Sequence, residues 1–119
     1  MTRYQLLRIT NIVSMLSAAV LNQYDWCKRK HKRFDRNTPI DCPNSEDQLV
    51  QSAHLLKKLP LEVVPNKSEY LEYIKEPCVW NVFHTIRHLS ECVSNEEEIA
   101  ALREWLEDYG IRHSIRETN

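Results

Sequence analysis

The chain of 119 residues contains one glycine, Gly110. Tight β-hairpins draw on residues that enter positive φ without steric penalty, and glycine is the main supplier. A β-rich fold would need many such turns, so this sequence is expected to fold as an all-α protein. Its five prolines then act as punctuation, ending helices or opening them.

A chain of this length accommodates one hydrophobic core rather than two. Its hydrophobic fraction of 42% and charged fraction of 28% lie well inside the globular range, away from compositions that stay disordered. The net charge of −1 conceals a segregation. Residues 1–36 hold eight Lys/Arg against two Asp, about +6, whereas residues 44–108 hold thirteen acids against six bases, about −7. The result is a basic end and an acidic body.

Four cysteines, Cys27, Cys42, Cys78 and Cys92, would allow two disulfides in a secreted protein. Ile9 to Leu21 follows Arg3 and Arg8 in the outline of a signal peptide, but Thr10, Asn11, Ser14 and Ser17 interrupt it. The apolar residues there recur with helical period instead. No uninterrupted apolar run reaches the about 18–20 residues of a membrane span. A soluble protein with reduced thiols, cytoplasmic or nuclear and without membrane partners, is the resulting expectation.

The spacing predicts a small single-domain bundle of about five helices. Thr2 to Gln5 forms a capping box, and Leu6, Ile9, Val13, Leu16 and Val20 begin an apolar seam that continues through Tyr24, Cys27, His31 and Phe34. An unbroken helix over residues 1–36 would overhang a domain of this size, unless it bends near Asn22 and Gln23. Residues 37–44 read as a loop, and residues 45–110 as the acidic helical body. Within that body, Ser45 to Gln48 forms a capping box for a helix carrying Leu49, Ala53, Leu56 and Leu59 up to Pro60. Asn66 to Glu69 can cap a short helix with Tyr70, Leu71 and Ile74, and Pro77 can open a fourth through Val79, Val82, Phe83, Ile86, Leu89 and Val93. Ser94 to Glu97 caps a fifth helix, which Gly110 ends, leaving residues 111–119 as a polar tail.

Two constellations could carry chemistry. His84 and His88 stand one helical turn apart, with Cys92 a turn beyond, so nitrogen and sulfur ligands suited to zinc could line up. Measured from a stripe centred on Ile86, the two histidines fall on the opposite, solvated face, where such a pair ordinarily does nothing more than face water. Thr85 occupies the position at which zinc proteases with this histidine spacing keep a glutamate base. Cys27 and His31 form another turn-spaced pair, but on the seam they read as core residues. Cys78, just after Pro77 near a helix start, is the best placed of the cysteines to be reactive, yet no base accompanies it. With neither a phosphate-binding glycine loop nor a nucleophile motif, the protein is expected not to be an enzyme and to need no cofactor, zinc being the one alternative.

The second constellation is the basic run Lys28, Arg29, Lys30, Lys32, Arg33 and Arg36, with Tyr24, Trp26 and Phe34 interleaved. Such a run can be the solvated flank of a seam. It can also steer and anchor a partner. The expectation is a non-catalytic interaction protein (an inhibitor, adaptor or small subunit) that binds a protein partner or a second copy of itself through these residues. Nucleic-acid binding by the Lys28 to Arg36 segment is the first alternative, through phosphate contacts. Metal binding through His84, His88 and Cys92 is the second.

Overall fold

The computed structural model describes residues 2–91, which form four helices: α1 (Arg3–Arg29), α2 (Pro43–Lys57), α3 (Lys67–Lys75) and α4 (Val79–Glu91). Among the described residues the fold is all-α, with a single β-bridge between Pro39 and Cys78. The fifth helix expected between Ser94 and Gly110, the tail over 111–119, and Cys92 lie outside the described residues.

α1 starts as its sequence dictates. The Thr2 amide donates to Gln5 Oε1 at 2.9 Å and the Gln5 amide to Thr2 Oγ1 at 3.1 Å, closing the capping box. Ile9, Ile12, Leu16, Ala19 and Val20 are then sealed completely from solvent. A fully buried aliphatic side chain contributes about 1.5–3 kcal/mol relative to an exposed one, so this stripe is the principal source of cohesion. α1 packs against both α2 and α4, while α3 packs against α2 and α4. Over an 18-residue window α1 reaches a mean hydropathy of 1.3, enough by length and composition to cross a membrane. Polar residues interrupt it as the sequence indicated, and its apolar face is the one that receives the other helices.

The helix does not run to residue 36. It stops at Arg29, and His31 takes a left-handed conformation with φ 54°. The chain then turns back so that Phe34 packs against Tyr24 and the core. α1 is unbroken through Asn22 and Gln23, and the expected extension of the helix to residue 36 is replaced by a returning chain whose Phe34 covers the end of the seam. At 1.5 Å per residue the 27 residues of α1 span about 40 Å, close to the 43 Å long dimension of the molecule.

α2 also departs from the capping pattern. It opens at Pro43 after Cys42, with no side-chain cap. Proline is preorganised for the first helical position, and Ser45 is used elsewhere: its hydroxyl donates to the Ala19 carbonyl at 2.6 Å, docking α2 on α1. α4 likewise opens at Val79, two residues beyond Pro77, because the Pro77 carbonyl is taken by the Ile40 amide at 3.0 Å. The amides of Val79 and Trp80 donate to the carbonyls of Thr38 and Arg36 at 2.9 Å each. Those bonds tie the start of α4 to the loop that follows α1.

Candidate interaction surface

The basic segment sits where α1 ends, and the backbone there explains its shape. The Lys32 amide donates to the Cys27 carbonyl at 2.8 Å and the His31 amide to the Lys28 carbonyl at 3.4 Å. Together with the left-handed residue between them, these are the two bonds of a Schellman motif. The motif reverses the chain within a few residues. Lys28, Arg29, Lys30, Lys32 and Arg33 are therefore displayed around one turn, all exposed, at the end of the helix where the backbone dipole favours positive charge.

Arg33 meets Asp35 at 2.9 Å. Among the described residues no carboxylate lies within ion-pair distance of Lys28, Arg29, Lys30 or Lys32. Arg29 and Lys30 instead approach the Trp26 ring, at 5.9 and 4.7 Å from its centroid, within reach of a cation–π contact. Tyr24 and Phe34 meet edge to face at 5.2 Å and hold the returning chain. Arg36 lies over Trp80 at 5.9 Å, joining the basic turn to α4.

Gln23 ties the loop before α2 to the last turns of α1. Its Nε2 donates to Asp41 Oδ1 at 2.8 Å and to Cys27 Sγ at 3.4 Å, while its Oε1 accepts from the amides of Asp41 at 2.9 Å and Cys42 at 2.8 Å. A residue on the apolar seam thus binds the loop to the helix. Beside it opens a groove of about 420 Å³ between the end of α1 and the start of α2, lined by Asn22, Asp25, Lys28, Arg29, Cys42 and Asn44. Cys27 and Cys42 are buried free thiols and Cys78 a half-buried one.

His84 and His88 are placed differently from expectation. Both are half-buried rather than solvated, because α4 has two neighbours. Val79, Val82, Ile86 and Leu89 enter the core, while the histidines meet the tyrosines of α3. Their ring centroids are 4.2 Å apart. His84 stands edge-on to Tyr73 at 5.5 Å and stacks beside Trp80 at 6.2 Å, and His88 lies 5.7 Å from Tyr70. Desolvation, then the neighbouring His88, pushes the His84 pKa below the usual 6.5, with Arg87 acting in the same direction against Glu69 and Glu91. The Tyr73 hydroxyl donates to Glu69 Oε1 at 2.7 Å, and that bond to a carboxylate raises the tyrosine's pKa.

The nine residues expected to contact a partner are gathered at the end of α1 but differ in role, with Trp26 beneath Arg29 and Lys30 and Arg36 over Trp80. The lysines, Arg29 and Arg33 are displayed, whereas Tyr24 and Phe34 form the footing of the turn. Gln23 was not foreseen, since a glutamine on a hydrophobic seam carries no local signal of what it binds. No family model, curated protein or solved structure matches this chain. Its function is therefore argued from its surfaces.

Proposed function

We propose that this protein is a non-catalytic interaction protein that docks an acidic surface of a protein partner through the turn at the end of α1. The observation that carries the reading is the display of Lys28, Arg29, Lys30 and Lys32 with no carboxylate within ion-pair distance among the described residues. Like charges crowded into one turn repel, and the helix dipole offsets only about 0.3–1 kcal/mol for each favourably placed charge. An acidic partner would relieve that repulsion and be steered toward the turn. The backbone bonds from Lys32 to Cys27 and from His31 to Lys28 hold the turn, so less conformational freedom is lost on docking.

Nucleic acid is the less favoured ligand for the same surface. Base stacking on an exposed ring supplies about 1–3 kcal/mol per base in single-strand binders, but Trp26 here is occupied by Arg29 and Lys30, and Tyr24 by Phe34. The acidic body would also repel a phosphate backbone. A cytoplasmic or nuclear setting suits a protein in which the described thiols, Cys27, Cys42 and Cys78, are free.

The test compares the wild type with a variant carrying Lys28→Glu, Arg29→Glu, Lys32→Glu and Arg33→Glu. Anisotropy titrations against an acidic polypeptide, a DNA duplex and a single strand at several salt concentrations should show salt-sensitive polypeptide binding only in the wild type. Crosslinking in cells should recover a partner that the variant loses. Identical partners with both proteins would overturn the reading, and tighter binding to nucleic acid than to the polypeptide would replace it with the alternative.

A further inference from the structure

We propose that His84 and His88 chelate one divalent transition-metal ion, zinc(II) or copper(II), independently of the basic turn. The two residues are one turn apart on α4, and their rings lie 4.2 Å apart between centroids. Two nitrogens at about 2.0–2.1 Å from a tetrahedral zinc are about 3.4 Å from each other. With metal–nitrogen bonds of that length the two ring centroids stand about 5 Å apart, so the rings open slightly from their 4.2 Å separation through adjustment of both side-chain torsions. No backbone movement is needed.

The surroundings favour chelation over two independently solvated side chains. Tyr73 stands edge-on to His84, Trp80 stacks along it, and Tyr70 flanks His88. These walls narrow the range of side-chain torsions without closing it, so binding freezes less freedom than it would in two free side chains. They also lower the local dielectric around the charge, as the apolar shell of a metal site does. The Glu69 carboxylate, held by the Tyr73 hydroxyl at 2.7 Å, adds negative charge on the same side of α4.

The donor set selects the ion class. Two imidazole nitrogens suit zinc and copper, with copper bound more tightly in the general order, whereas calcium and magnesium require oxygen ligands. Among the described residues no third His, Cys, Asp or Glu completes a cluster around the pair. Water supplies the remaining positions available to the ion, and binding should be micromolar or weaker, far from the affinity of a closed four-ligand site. Both ligands belong to α4, so the ion would clip two turns of that helix together beside α3.

Full-length protein without a histidine tag, titrated with zinc sulfate and separately with copper sulfate, provides the test. The histidine ring resonances of His84 and His88 should shift together with zinc at one ion per chain, while those of His54 stay put. Copper should quench part of the fluorescence of the three tryptophans saturably over the same stoichiometry, and Trp80→Phe should remove that part. His84→Gln or His88→Gln should weaken binding at least tenfold, with far-UV circular dichroism unchanged. Shifts confined to other histidines, or wild-type affinity in the double variant, would overturn the proposal. Affinity lost in Cys92→Ser but retained in both histidine variants would overturn it as well. The resonance measurement on the unsubstituted protein decides the matter even if a variant fails to fold.

Discussion

A buried primary amide is tolerated when each of its hydrogen-bonding positions is filled, and Gln23 fills all four. Two of its partners are the backbone amides of Asp41 and Cys42, which both donate to its Oε1. Replacing Gln23 with leucine would preserve volume and remove that acceptor. A buried donor left unsatisfied costs about 1–3 kcal/mol; the Cys42 amide is buried and the Asp41 amide only partly so, so Gln23→Leu is expected to destabilise the protein by about 2–4 kcal/mol. Urea denaturation measures this directly, and a loss below about 1 kcal/mol would show that the loop finds other partners. Because Cys42 lines the same groove as Lys28 and Arg29, the same variant should weaken the polypeptide binding proposed above.

At the scale of the element, the end of α1 carries a built-in strain that a sequence pattern does not reveal. Helices usually close a Schellman motif with glycine, yet this chain uses its only glycine at position 110 and places His31 in the left-handed conformation. Histidine enters that region more readily than most residues, but still at a penalty. His31→Gly should therefore raise stability by about 0.5–1 kcal/mol, less whatever the more flexible unfolded chain gains. His31→Val should lower it, and thermal unfolding of the two variants in parallel gives the sign of each. The contact between α3 and α4 makes a separate prediction about pH. His84 has its folded-state pKa below the ordinary 6.5, so the unfolded chain binds this proton first as pH falls. Stability from this residue is whole above the ordinary value and is lost as pH drops from there through the lower folded value. Urea midpoints between pH 7.5 and 5 should fall on acidification, and His84→Gln should flatten part of that slope.

For the molecule as a whole, the helical fold was legible because its determinants are local. The capping box of Thr2 and Gln5, the period of Ile9, Val13, Leu16 and Val20, and the shortage of glycine all act within a few residues of one another. What could not be read depended on tertiary contact. Ser45 abandons its cap to dock on Ala19, the histidines of α4 face α3, and Phe34 returns to Tyr24. The apolar period continued past Arg29, while the turn that ends the helix has no sequence mark. The placement of the basic residues was legible as a cluster, but their separation into displayed cations and aromatic footing emerged only with that turn. The same tertiary logic distinguishes a core helix from a membrane-crossing one, since hydropathy alone does not separate them for α1. A membrane span is apolar on every side facing lipid, so Leu7 and Leu16 would matter alike. In the folded bundle Leu7 is 55% exposed and Leu16 fully buried. Leu16→Ala should cost about 3–5 kcal/mol by emptying a packed site, and Leu7→Ala less than about 1 kcal/mol. Measured by urea denaturation in detergent-free buffer, that asymmetry identifies α1 as the helix around which the protein folds. Equal effects, or a requirement for detergent, would mean that its apolar face serves a lipid environment instead.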